Sequence, residues 1–156
     1  MPLTDKVQAI KHIAAPKTKR QLRNFIGIIH WYRDMWKNRS GILTPLSNMP
    51  SKQSKWNWDS KCQKTFDKVK KLVARQTLLS YPNFNEPFEI HTYTSKLHLE
   101  TVISQKGKPI AFYSITLNPA QIHYTATERE ILSIVGTLKA FRNILLSQQI
   151  KVYTDH

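Results

Sequence analysis

The 156-residue chain has one cysteine, four glycines and ten acidic residues, and it contains no run of 18 apolar residues. A single cysteine excludes an internal disulfide. Cys62 falls on an apolar helical face, reads as a small buried residue, and suits a reducing, intracellular setting. The missing apolar run excludes a membrane-spanning helix, and the opening MPLTDKVQAIKH carries charges where an export signal needs an apolar core, so neither membrane nor export is indicated. Four scattered glycines make no phosphate-cradling loop. His91, His98 and His123 fit no zinc spacing, and the Ser and Thr residues of YTAT and SKQSK have no base at a meaningful spacing, which removes support for nucleophilic catalysis.

What the chain has in abundance is positive charge, and it is unevenly placed. Residues 1–80 hold 17 Lys and Arg against 4 Asp and Glu, a net of +13, whereas residues 81–156 hold 7 against 6. Such asymmetry separates two functional regions and points to a polyanion, nucleic acid first, as partner of the basic one. A solvated basic surface is the bland alternative. The lysines interleave with apolar positions along helices instead of forming a tail, which disfavours acidic lipid.

The first region has helical periodicity. TDKVQAIKHIAA spaces Val7, Ile10, Ile13 and Ala14 behind a possible Thr4 cap and should stop near Pro16. TKRQLRNFIGIIHWYRDMWK opens with a capping-box pattern from Thr18 to Gln21. It puts Leu22, Phe25, Ile26, Ile29, Tyr32 and Trp36 on one face, with Lys19, Arg23, His30, Arg33 and Lys37 opposite. A short helical piece, ILTPLSNM, follows. A third long helix from about Asp59 turns Cys62, Phe66, Val69 and Val73 inward and Lys61, Lys64, Lys68, Lys71 and Arg75 outward. Trp56 and Trp58 could stack on bases, but tryptophans just before a helix more often anchor a core. At YPNFNEPF the pattern switches from helical to alternating, which marks a boundary. Strands are expected at 88–95, 98–105 and 109–114, the last two joined by a QKGK hairpin. TATEREILSIVGTLKAFRNILL then starts with a Thr125–Glu128 capping box and should bury Ile131, Val135, Leu138, Phe141 and Leu145. A fourth strand, IKVYTD, closes the order β-β-β-α-β. The fold class is α+β, a helical region followed by an α/β layer on a mixed sheet.

TKRQLRNFIGIIHWYRDMW, CQKTFDKVKKLV, LLSYPNF, PFEIHTYTS, GKPIAFYS, LNPAQIHYTATEREILSIVGTLKAFRNILL and KVYTDH together resemble the pol polyprotein of Ty3/gypsy-type LTR retrotransposons, in order and over nearly the whole chain. The resemblance implies that residues 1–80 are the helical thumb and connection of a reverse transcriptase, and residues 86–156 the N-terminal half of a truncated RNase H-like domain. The polymerase palm is not within the chain. Partners implied are an RNA/DNA hybrid or DNA duplex and the rest of the pol polyprotein.

Ribonuclease H chemistry gathers carboxylates at strand ends to hold two Mg²⁺ ions about 4 Å apart. Family members read TDAS where this chain reads TYTS, so by the resemblance Tyr93 takes the position of a metal-binding aspartate. A neutral phenol is a poor ligand for a hard cation. Glu130, in REILS, matches the helix glutamate, and Asp155, in YTDH, matches the aspartate ending the fourth strand. The final metal-binding aspartate would lie beyond His156, which leaves Glu130 and Asp155 as an incomplete, degenerate catalytic and metal site that should not bind Mg²⁺ tightly. Glycines usual after the first strand are replaced by KLHLE, and a basic residue usual before LNPAQ by Ile115 and Thr116. The expectation is a non-catalytic, duplex-binding chain that uses Lys19, Arg20, Arg23, His30, Arg33, Lys37, Lys61, Lys64, Lys68, Lys71 and Arg75. A residual or complemented Mg²⁺-dependent nuclease, and a pseudogene product with no selected function, stay open beside it.

Overall fold

The computed structural model describes residues 9–49, 51, 55–74 and 79–154. Thr4, Val7, Arg75, Asp155 and His156 lie outside them. The chain divides into two compact units, one built from 1–36 and 41–77, the other from Lys37–Ser40 and 78–156.

In the first unit, residues 9–11 are helical and bury Ile10. The turn closes at His12, earlier than the spacing to Ala14 suggests, and Ala14 is exposed. Helix α1 (Lys19–His30) begins where Thr18 accepts the N–H of Gln21 on its side chain. The reciprocal half of the box is displaced by one residue, for the Gln21 side chain accepts the N–H of Lys17 at 2.7 Å. The helix stops at His30, well short of Lys37; a 3₁₀ turn, Arg33–Met35, and Asn38 at φ 54° redirect the chain. Helix α2 (Arg39–Ser47) contains Pro45. Helix α3 (Ser60–Ala74) starts at Asp59, whose carboxylate accepts the Cys62 N–H at 2.8 Å. That bond holds the Asp59 carboxyl below its ordinary value, while burial pushes the Cys62 thiol up.

Leu22, Phe25 and Ile29 of α1 meet Cys62, Phe66, Val69 and Val73 of α3 in one core. The Phe25 and Phe66 rings lie 4.6 Å apart. Trp56 and Trp58 stack on one another and pack against this core, Trp58 edge-on to Phe66, so they are anchors of the fold. Each large side chain so buried contributes about 1.5–3 kcal/mol, before the entropy of ordering it.

The second unit is a four-stranded mixed sheet of β1 (Phe88–Thr94), β2 (His98–Gln105), β3 (Lys108–Thr116) and β4 (Ile150–Tyr153), in the order β3-β2-β1-β4. The first three are antiparallel neighbours, and β4 runs parallel to β1. Lys106 and Gly107, both at positive φ, make the tight turn between β2 and β3 that a two-residue hairpin requires. Helix α4 (Ala126–Ala140) carries the complete capping box, with Thr125 and Glu128 each accepting the other's backbone N–H. At Phe141 the helix breaks, and α5 (Arg142–Leu145) follows.

The face that α4 turns to the sheet differs from expectation. Ile131, Val135 and Leu138 are exposed, and the buried positions are Ser133 and Thr137. Ser133 shares a 2.9 Å hydroxyl hydrogen bond with Thr101 of β2, and the Thr137 hydroxyl donates to the Ser133 carbonyl at 2.8 Å. Small residues bring the helix close to the sheet. A Cβ built on Gly136 would collide with the Tyr113 hydroxyl of β3. Past the break, Phe141 and Leu145 do enter the core with Phe88, Ile90, Ile103 and Ile110.

Gly136→Ala gains helix propensity but overpacks this contact, and it should destabilise the second unit by about 1–2 kcal/mol in urea unfolding. Tyr113→Phe in the same chain removes the colliding oxygen and should return part of the loss. A neutral or stabilised single variant would contradict the close approach.

Candidate functional site

On α1 the side chains not used in the core form a continuous surface. At about 100° per residue, Lys19, Arg20, Arg23, Gly27, His30 and Trp31 fall within roughly a third of the helix circumference. Arg20, Arg23, Gly27, His30 and Trp31 are exposed, and the Lys19 ammonium donates to the Ser51 carbonyl at 2.6 Å. Trp31 is 88% exposed, an unusual state for so large an aromatic. A Cβ at Gly27 would meet nothing within 4 Å, so no neighbour among the described residues explains a glycine that costs the helix about 1 kcal/mol. Gly27 and Trp31 escaped the sequence reading. The available signals were a glycine in mid-helix and a tryptophan out of phase with the apolar stripe. Arg33, past the helix end, contacts His30 at 2.9 Å and Asp34 at 3.4 Å.

On α3, Lys61, Lys64, Lys68 and Lys71 fall within one quarter of the circumference and are exposed. Lys64, Lys68 and Lys71, with Asp67 and Leu72, line an open depression of about 430 Å³. Lys70 serves the fold instead, donating to the Ile13 carbonyl and lying over the Phe66 ring.

The remaining predicted positions belong to the second unit. Thr101, bonded to Ser133, faces α4, and its cross-strand partner Thr92 shares that face. Strand alternation therefore turns Tyr93 to the opposite face, where it pairs directly with Glu100 of β2. Glu130 lies on the sheet-facing stripe of α4, one turn before Ser133. The structure thus sets Glu130 on the helix side and Tyr93 on the other. Lys37 does not continue the α1 stripe. Its ammonium stands 4.7 Å from the centre of the Tyr93 ring. Burial raises the Glu100 carboxyl above its ordinary value, with Lys37 and His98 pulling against the rise. Of the KLHLE segment, Lys96 and Leu97 make the bend before β2 and the rest opens that strand; the Ser95 hydroxyl accepts the Leu97 and His98 N–H groups, and Arg129 donates to the Ser95 carbonyl at 2.7 Å.

The family described as the RNase H-like domain found in reverse transcriptase matches residues 58–152. The chain is 36% identical over 152 residues to the retrovirus-related Pol polyprotein from transposon 297 and 30% identical over 165 residues to that from transposon gypsy, both of Drosophila melanogaster. It is also 26% identical over 162 residues to the transposon Tf2-3 polyprotein of Schizosaccharomyces pombe. The chain belongs to the family of RNase H-like domains found in reverse transcriptase, and its relatives are Pol polyproteins of Ty3/gypsy-type retrotransposons. These matches take in 97–99% of the chain but only 12–16% of each polyprotein, so it spans a small part of its pol relatives. Among solved structures, foamy viral protease-reverse transcriptase in complex with RNA/DNA hybrid superposes with a TM-score of 0.86, at 20% identity, over 97% of this chain and 21% of that one. The same enzyme in complex with dsDNA gives 0.84, covering 33% of that chain. At that identity the likeness establishes the α+β fold.

RNase H-like pol domains generally use Mg²⁺; of the residues matched to the metal set, Asp155 lies outside the described residues, and Tyr93 and Glu130 lie within them. Among the described residues no three His, Cys, Asp or Glu side chains gather in a way that could hold a metal ion. At the strand end a phenol and a lysine ammonium stand together, and like charges repel, so a divalent ion there would meet an ammonium.

Because Glu100 has a raised carboxyl in the folded chain, its cost to stability is absent below the ordinary value of 4.5 and grows as pH rises through the folded value. Glu100→Gln should therefore stabilise the protein at pH 7, with the gain vanishing below about pH 4. Thermal unfolding of both proteins from pH 3.5 to 7.5 measures it, and a constant difference would show that Glu100 does not titrate as described.

Proposed function

We propose that this chain is the segment of a Ty3/gypsy pol protein that grips a nucleic-acid duplex without cutting it, residues 1–80 acting as thumb and connection and residues 86–156 as the N-terminal half of the RNase H-like domain. The observation that carries the reading is the α1 surface: Lys19, Arg20 and Arg23 beside an open glycine and an exposed tryptophan. Cations on a core-seated helix neutralise phosphates. An open Gly27 admits an external backbone or sugar closer than any other residue would, and Trp31 offers a flat face for sugars or bases. The lysine row of α3 supplies further phosphate contacts. Support also comes from the foamy viral relatives of the fold, which are described in complex with duplexes.

Absence of cleavage follows from Tyr93. Of the residues matched to the family's metal set, Glu130 is the one carboxylate among those described, and position 93, on the other face of the sheet, holds a phenol under a lysine. The rival, a residual or complemented nuclease, requires those groups to collect Mg²⁺ all the same.

Binding of the purified chain to a labelled RNA/DNA hybrid, followed from 50 to 200 mM salt with Mg²⁺ present and the RNA run on a gel, separates the two. Four phosphate contacts would give a loss of affinity on the order of a hundredfold across that range, with the RNA intact. Flat affinity would end the electrostatic reading, and cut RNA would end the non-catalytic one.

Single variants divide the surface. Lys68→Ala should lower the steepness of the salt dependence by nearly one contact, whereas Trp31→Ala should cost roughly tenfold in affinity and leave the steepness unchanged. Equal effects of both on steepness would place Trp31 outside the contact.

A further inference from the structure

Residues Lys37–Ser40 are the one excursion that joins the second unit from the first half of the sequence, and they sit on a single row of the sheet. Tyr93, Glu100 and Ser114 lie side by side across β1, β2 and β3. Arg39 donates to the Ser114 carbonyl at 2.8 Å, and the Ser40 N–H donates to the Ser114 hydroxyl at 3.0 Å. Asn38, in the left-handed region at φ 54°, turns the chain just before α2. The two bonds at Ser114 and this turn bring Lys37 over Tyr93 at the other end of the row.

We propose that the Lys37 ammonium is the built-in cation of the Tyr93 strand end, so that a carboxylate returned to position 93 pairs with Lys37 instead of collecting a divalent metal ion. A cation over an aromatic face is attracted by the ring's negative quadrupole, and Lys37 and Tyr93 meet in this way at an exposed place. Half-buried Glu100, directly beside Tyr93, adds a negative charge that the same ammonium balances. His98 contributes to the field at Glu100, and Arg39 is anchored one strand further on. The place is thus furnished with charge from within the chain. A divalent ion entering it would meet an ammonium, and an aspartate at 93 would find a cation close by. The inference rests on position 93 being the family's metal-binding position; duplex affinity in a salt series needs none of the variants below, so the two readings fail separately.

The test uses the whole chain and Mn²⁺ alone as probe, with the free-ion signal read by electron paramagnetic resonance. Wild type, Lys37→Met and Tyr93→Asp should leave the free Mn²⁺ signal essentially intact. The double variant Lys37→Met with Tyr93→Asp should deplete it saturably and at least tenfold more tightly than Tyr93→Asp alone. Equal binding by the two Asp variants, or no gain in the double variant, overturns the proposal. A direct measurement stands in if the double variant does not fold. In the wild-type proton spectrum the Lys37 ε-methylene should be shifted upfield by the ring, with the shift kept in Tyr93→Phe and lost in Tyr93→Leu. Random-coil positions in wild type overturn the proposal by themselves. An upfield shift combined with no Mn²⁺ gain in the double variant also overturns it, and traces the failure to the assignment of position 93 instead of to the Lys37 contact.

Discussion

The contact of α4 with the sheet through Ser133, Gly136 and Thr137 governs the second unit. Hydroxyls and a hydrogen atom fill the space where leucines would otherwise stand, and the helix comes near enough for Ser133 to bond Thr101. That bond satisfies two polar groups in a dry place, where leaving either alone would cost about 1–3 kcal/mol. With the rotation of α4 set, the rest follows. Glu130 falls on the sheet side of the helix, Ile131, Val135 and Leu138 are turned outward, and the chain breaks at Phe141 so that Phe141 and Leu145 can reach the apolar end of the sheet.

The first unit answers a different demand, since it must bury enough apolar surface to be stable while carrying nearly all the excess positive charge. It does so by giving each long helix two separate sectors. Leu22, Phe25 and Ile29 on α1 interlock with Cys62, Phe66 and Val69 on α3, and Arg20 and Arg23 on α1 and Lys61, Lys64, Lys68 and Lys71 on α3 stay exposed on the far sides. Repulsion among like charges in such a row is softened by screening and by Asp67, which lies within the α3 sector. A polyanion laid along these helices would exchange that repulsion for attraction and release its own counterions. A surface costly to the free protein is therefore well suited to a duplex.

Much of this was legible in the residues. Strand alternation at 88–94, the Lys-Gly turn, the Thr125–Glu128 box and the two apolar stripes of α1 and α3 each rest on local chemistry that acts wherever the sequence is placed. The face of α4 was not legible, because hydropathy assigns a helix's inner side to its leucines and isoleucines, and serine, glycine and threonine are silent in that pattern. The same silence hid Gly27. Lys37 was misplaced for another reason. Continuing α1 at helical spacing puts it in the basic stripe, but α1 ends at His30, and the positive φ at Asn38 is a choice of the folded chain that residue type barely signals. Its contact with Tyr93 joins residues far apart in sequence, and only the fold can report it.

Tyr93 and Glu100 make sense as a pair. Residues directly opposite on antiparallel strands hold their Cβ atoms about 5 Å apart, and like charges there are destabilising. An aspartate facing Glu100 would repel it and would need a cation near the pair, a metal ion or the Lys37 ammonium, to be tolerable. A phenol removes the repulsion, keeps bulk over the strand, and presents a face to Lys37. Glu100 in turn keeps one compensating charge for that lysine at a site where burial already works against its ionisation. Changing position 93 alone would therefore leave the row out of balance. The phenol at 93 and the ammonium over it are two sides of one electrostatic arrangement, set by which residues the sheet places in register.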